Sequence, residues 1–152
     1  MPEQTTDDAL VIERVVDAPI SQVWTMWTDP QQFAAWYGPA GATIDTVRFD
    51  LRPTGERIVA MTVPTPGGER TIWFTGEHVE IDEPRLLVYN ESMTDGDGGT
   101  PQSPVTTVRV ALADEGGRTR LRLTHHGLPA GSPGATGWQM ALDKLQAVLT
   151  GG

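Results

Sequence analysis

The chain has 152 residues, enough for the single domain that we expect residues 1–152 to form, and it carries a net charge of −9 with a pI near 4.6. This charge disfavours nucleic acids and anionic lipid surfaces as partners, and the lack of cysteine excludes disulfides, a thiolate nucleophile and cysteine-ligated zinc. Because no apolar run approaches the length of a membrane span and the opening residues lack a signal-peptide pattern, we expect a cytoplasmic protein without membrane insertion.

The first part of the chain is predicted to form a strand and two short helices. Residues 10–16 are rich in valine, isoleucine and leucine, which indicates a strand, and the turn at 17–19 ends it with a proline. From Ile20 onward the apolar residues follow helical spacing. Asp29 is a favourable N-cap and Pro30 a favourable first residue for a second helix, which we expect to run to about Trp36.

After these helices the apolar residues alternate with a period of two. We predict six further strands, joined by short turns in an antiparallel sheet, over residues 42–51, 56–63, 69–81, 86–92, 105–113 and 118–126. Gly76 is expected to mark a bulge or a bend in the long third strand of this set. The acidic loop at 93–104 lacks the ligand pattern of a calcium loop, which favours a mobile hairpin tip.

The last helix is predicted over residues 135–149. Its apolar residues Trp138, Leu142, Leu145 and Leu149 form one stripe, and the sheet needs one face covered. The fold class is therefore predicted as α+β: a curved antiparallel sheet, in the order β-α-α-β6-α, wrapped around a long C-terminal helix.

Six segments, in order and over nearly the whole chain, carry a family resemblance: APISQVW (18–24), TDPQQFAAWYGP (28–39), FDLRPTGE (49–56), EIDEPRLLVY (80–89), TRLRLTHHG (119–127) and GW…LDKL (137–145). The chain resembles the START-like (SRPBCC) superfamily, and within it the branch named after the activator of heat-shock-protein-90 ATPase. The resemblance implies a helix-grip fold with a deep cavity between sheet and helix. Members use that cavity for hydrophobic ligands, or for cyclisation or hydrolysis chemistry.

Large side chains that the helix-grip arrangement would turn toward the cavity are predicted to bind a ligand. Aromatic residues suit this role because they offer a large apolar body, with one polar handle in Trp and Tyr. The spacing of Trp24 and Trp27 is explained by the helix core alone, whereas Trp138 fits core and cavity equally well. The predicted ligand-binding residues are Trp36, Tyr37, Met61, Trp73, Tyr89, His125, Trp138 and Leu142.

Two polar residues are candidates for catalysis, His125 and Glu91. If the leucines of the last strand face inward, so does His125, although a lone inward histidine is more often a hydrogen-bonded core residue. Glu91 shares parity with Tyr89, and a carboxyl group in an apolar cavity could act as acid or base; the alternative is an exposed strand end. His78 and Glu80 share a predicted strand face, but two ligands make a poor metal site, so we expect no metal and no cofactor.

The sequence favours a binding domain for a small hydrophobic molecule, aromatic or acyl in part, acting as a monomer or homodimer. The alternative is an enzyme of cyclase, hydratase or hydrolase type in the same cavity, and the sequence leaves open whether a reaction is catalysed. A co-chaperone-like interaction protein is a second alternative, which needs a docking surface that no sequence feature marks. Serine-elbow, dinucleotide-binding and P-loop motifs are missing from the chain.

Overall fold

A computed structural model describes residues 9–96, 99–128 and 131–150. The tip of the loop at 93–104, predicted to be mobile, falls on Asp97 and Gly98, outside the described residues. The elements in chain order are β1 (Ala9–Val16), α1 (Ile20–Thr28), α2 (Pro30–Ala34), β2 (Thr43–Phe49), β3 (Glu56–Thr65), β4 (Gly68–Asp82), β5 (Leu86–Thr94), β6 (Thr106–Glu115), β7 (Arg118–His126) and α3 (Pro133–Thr150).

The strands form one seven-stranded sheet in the order β1-β7-β6-β5-β4-β3-β2, and every neighbouring pair is antiparallel. The buried residues Trp138, Leu142 and Leu145 of α3 join those of the sheet and of α1 in one hydrophobic core. The predicted α+β fold class, a curved antiparallel sheet around a C-terminal helix, is confirmed.

The two short helices are fixed by their own side chains. The Asp29 carboxylate accepts hydrogen bonds from the backbone N–H groups of Gln31 (2.9 Å) and Gln32 (3.4 Å), so the predicted N-cap is confirmed. The Trp36 indole lies just beyond the end of α2, which comes earlier than predicted, and its Nε1 donates to the Met26 carbonyl at 2.8 Å. These bonds hold α2 against α1 at the edge of the core.

The irregularity in β4 lies beyond the predicted position. The register shifts between His78 and Glu80, whereas Gly76 stays in register with Glu91. A Cβ at Gly76 would lie 1.8 Å from the Asn90 carbonyl oxygen, so this glycine permits a close backbone approach and the predicted bulge at Gly76 is wrong. The shift also buries His78 and leaves Glu80 exposed, so these two side chains do not share a face as predicted.

Replacing Leu145 by alanine is expected to lower the free energy of unfolding by about 3 kcal/mol, because the side chain is fully buried between α3 and the sheet. Val148 on the same helix is 48% exposed, and alanine there should change the free energy by less than about 0.5 kcal/mol. Denaturant unfolding of both variants tests the comparison. Equal costs would contradict the packing of α3 described above.

Candidate ligand-binding site

A pocket of about 540 Å³ lies between α3, the inner face of β3 to β5 and the segment that follows α2. Its lining is mainly apolar, and a smaller recess of about 280 Å³ shares Phe74, Glu91, Met93, His125 and Leu128 with it. The pocket is lined by Tyr37, Gly38, Pro39, Met61, Ile72, Phe74, Glu91, Met93, His125, Leu128, Ser132, Gly134, Gly137, Trp138 and Ala141.

Side chains from distant parts of the sequence hold the walls of this pocket in place. Lys144 of α3 donates to the carbonyl oxygens of Tyr37 (3.4 Å) and Pro39 (3.3 Å), which ties the helix to the segment after α2. Arg14 of β1 donates to the carboxylate of Asp143, also on α3, at 2.6 Å. The helix is therefore tied both to the edge strand β1 and to the segment after α2, and its residues Trp138 and Ala141 line the pocket.

The predicted ligand-binding residues divide into pocket lining and core. Tyr37, Met61, His125 and Trp138 line the pocket. By contrast, Trp36, Tyr89 and Leu142 are fully buried in the core and are not part of the pocket lining. The surfaces of these three side chains are covered by protein, and they belong to the hydrophobic core.

Trp73 lies on the other face of β4. Its neighbours Ile72 and Phe74 line the pocket, and alternate residues of a strand point to opposite faces. Trp73 is paired across the sheet with Ala60 of β3 and Thr94 of β5. Directly paired residues share a face, so all three side chains lie on the face away from the pocket. The prediction that Trp73 faces the cavity is wrong, because the strand parity was not fixed by the sequence pattern.

His125 is joined to Trp138 and to Thr106 by hydrogen bonds. Trp138 Nε1 lies 2.9 Å from His125 Nδ1, and His125 Nε2 lies 2.8 Å from Thr106 Oγ1. An indole N–H can only donate, so Nδ1 accepts and the proton of a neutral imidazole must be on Nε2. Burial, with a smaller effect from His126, lowers the pKa of His125 to about 4. At neutral pH this histidine is uncharged, and both its nitrogens are engaged.

Arg57 is a buried residue of the site that the sequence analysis did not single out. Its side chain is 1% exposed, and its Cζ lies 3.6 Å from the ring centroid of Tyr89, 4.4 Å from that of Phe49 and 5.1 Å from that of Phe33. None of its three side-chain nitrogens makes a hydrogen bond of ordinary geometry. Strand alternation could have predicted its burial. Arg57, Val59 and Met61 are alternate residues of β3 and therefore share a face, and the side chains of Val59 and Met61 lie in the core.

Glu91 is the carboxyl group closest to this guanidinium. It is 5% exposed, and its Oε1 lies 4.0 Å from Arg57 Nε. Burial raises the pKa of Glu91, while the charge of Arg57 acts in the opposite direction. Burial and then the negative charge of Glu91 also raise the pKa of the Tyr37 phenol, which therefore stays protonated. Glu91 and His125 line one pocket on strands separated only by β6.

Metal binding and membrane crossing find no support in the described part of the chain. Within it, no group of three or more His, Asp or Glu residues could hold a metal ion. None of the helices described is both long and apolar enough to cross a membrane.

The fold and the pocket define a helix-grip domain of the START-like type. A sequence model of the family described as "Activator of Hsp90 ATPase homolog 1-like protein" matches residues 17–150. The chain belongs to this family, as the resemblance of its motifs predicted. No curated protein matches the chain.

Solved structures from several bacteria have the same fold. The solution structure of a protein from Arthrobacter aurescens is similar with a TM-score of 0.82 and 24% identity, covering 99% of this chain and 91% of that one. Protein Ms6760 from Mycobacterium smegmatis has a TM-score of 0.79 and 24% identity, with 98% and 94% covered. The AHSA1 protein from Silicibacter pomeroyi has a TM-score of 0.73 and 22% identity, with 93% and 97% covered. At these identities the likeness concerns the fold.

Proposed function

We propose that this chain is a binding domain for a small hydrophobic molecule, aromatic or acyl in part, held in the pocket beneath α3. The observation that carries the proposal is a pocket of about 540 Å³ with a mainly apolar lining, a size typical of small-molecule sites. The pocket is built from one chain, which suits a monomer or a homodimer equally. We extend the proposal to a cytoplasmic protein in which residues 1–152 act as one domain.

Binding is proposed rather than catalysis because of the state of His125. Acid–base catalysis of cyclase, hydratase or hydrolase type would need His125 and Glu91 to exchange protons with a substrate. Nδ1 of His125 accepts from Trp138, and Nε2 is within hydrogen-bond distance of Thr106. The imidazole therefore serves to hold Trp138 in the pocket wall, which leaves Glu91 as the single carboxyl group lining it.

Replacing Gly137 by leucine is expected to weaken binding by at least about tenfold, or about 1.4 kcal/mol. Gly137 lines the pocket, and a Cβ there would meet no atom within 4 Å, so the new side chain would occupy space that a ligand needs. The free protein should not lose stability, since glycine is unfavourable within a helix. The measurement is fluorescence titration with the neutral apolar probe N-phenyl-1-naphthylamine.

Thr136→Leu is the matched control, because Thr136 is the preceding residue of α3 and is exposed. This variant should bind the probe as the wild-type protein does. Failure of the wild-type protein to bind any apolar probe would overturn the proposed function. Equal binding by the Gly137 and Thr136 variants would place the binding site outside this pocket.

A further inference from the structure

Glu91 is the polar feature of the pocket that its apolar lining does not explain. It lies on the central strand β5, is 5% exposed, and lines both the pocket and the adjoining recess. Within the described residues its carboxylate makes no hydrogen bond, and its nearest charged atom is Arg57 Nε at 4.0 Å. A carboxylate that faces a mainly apolar pocket has few protein groups to solvate it, so a ligand that donates a hydrogen bond to it gains affinity.

The charge around Glu91 restricts which ligand group can supply that bond. Arg57 is not part of the pocket lining and is enclosed by the rings of Phe33, Phe49 and Tyr89. The positive charge therefore lies behind the carboxylate, and the pair is neutral as a whole. A ligand carboxylate would meet Glu91 first and be repelled, whereas a ligand cation would add an unbalanced charge to the interior.

A neutral hydroxyl group avoids both the repulsion of an anion and the unbalanced charge of a cation, because it donates a hydrogen bond without bringing a charge. The protonated phenol of Tyr37 lines the same pocket and can donate to the oxygen of such a group. We propose that the ligand is a neutral apolar molecule bearing an alcohol or phenol hydroxyl, which donates a hydrogen bond to the Glu91 carboxylate. This inference rests on the proposed function and specifies the ligand class for the same pocket.

Four naphthalene probes of equal ring size test the inference on the wild-type protein: 2-naphthol, 2-methylnaphthalene, 2-naphthoate and 2-naphthylmethylammonium. Their dissociation constants are measured by displacement of N-phenyl-1-naphthylamine. A hydrogen bond to a charged acceptor predicts that 2-naphthol binds about tenfold or more tightly than 2-methylnaphthalene. The two charged probes should bind more weakly than 2-naphthol.

The outcomes separate this inference from the proposed function. Equal binding of 2-naphthol and 2-methylnaphthalene overturns the role of Glu91 but leaves the apolar pocket. Tighter binding of 2-naphthoate overturns it in favour of anion recognition by Arg57, and tighter binding of the ammonium probe in favour of a cationic ligand. If N-phenyl-1-naphthylamine binds but none of the four probes displaces it, this inference fails and the proposed function stands. If N-phenyl-1-naphthylamine and all four probes fail to bind, the proposed function fails and this inference fails with it.

A variant that removes both charges supplies the second measurement. Arg57→Met combined with Glu91→Leu leaves no unpaired buried charge and is expected to fold, whereas Glu91→Leu alone could fail to fold. In the double variant the preference for 2-naphthol over 2-methylnaphthalene should fall to less than about threefold. A tenfold preference that persists in the double variant would show that Glu91 does not recognise the hydroxyl group.

Discussion

Replacing Glu91 by leucine is expected to lower the free energy of unfolding by about 3–5 kcal/mol, because it leaves the Arg57 guanidinium buried without an anion. Arg57 is 1% exposed on its side chain, and Glu91 Oε1 at 4.0 Å is the negative charge paired with it. The guanidinium cannot relieve this cost by losing a proton, since arginine stays charged in proteins. Contacts with three aromatic rings offset only part of the loss.

The reverse replacement should cost less. Without Arg57 the buried Glu91 can take up a proton, and burial already raises its pKa. We therefore expect Arg57→Met to destabilise the protein less than Glu91→Leu, and the double variant to recover most of the loss. The coupling free energy between the two sites should be at least about 2 kcal/mol.

Urea unfolding of the two single variants and the double variant measures this cycle. Glu80→Leu is the control, since Glu80 is exposed on β4, and its free energy of unfolding should change by less than about 0.5 kcal/mol. A cost below about 1 kcal/mol for Glu91→Leu would contradict the buried charge pair.

Acidification is expected to destabilise the wild-type protein more than a His125→Gln variant, by roughly 2–3 kcal/mol between pH 7.5 and pH 4.5. The pKa of His125 is lowered to about 4 by burial, with a smaller effect from His126, while an unfolded histidine titrates near about 6.5. Between these values the unfolded chain binds a proton that the folded chain does not. The stability that neutral His125 contributes is therefore fully present above the pKa of the unfolded histidine. It is lost as the pH falls toward the pKa of His125 in the folded protein.

Glutamine at position 125 removes the titration but keeps an oxygen that can accept from Trp138 Nε1. The pKa of His78 is also lowered, by burial and by the charge of Arg57. Protonation of His78 therefore adds the same loss of stability on acidification in the wild-type protein and in the variant. Its effect therefore cancels when the two pH profiles are subtracted. Chemical unfolding over this pH range, followed by Trp fluorescence, gives the two profiles. Parallel profiles would show that the imidazole does not carry the lowered pKa.

The fold could be predicted from local patterns in the sequence. The helical stripe from Trp138 to Leu149, the alternating strands and the Asp29-Pro30 helix start each depend on residues a few positions apart. The inward direction of His125 followed from the same reasoning, since Leu121 and Leu123 are buried in β7 and alternate with it. Where a strand has a bulge, as between His78 and Glu80, alternation no longer predicts the face.

The pocket chemistry was decided only by the tertiary structure. The Trp138–His125 hydrogen bond needs α3 to close over β7, and the Arg57–Glu91 pair needs β3 and β5 to be placed on either side of β4. Neither pair has a spacing that a local pattern could reveal. The sequence by itself determined the fold class and the family, because periodicity and motifs record local conformation. Which side chains line the pocket and which support it depends on strand register and helix placement, which are set by long-range packing.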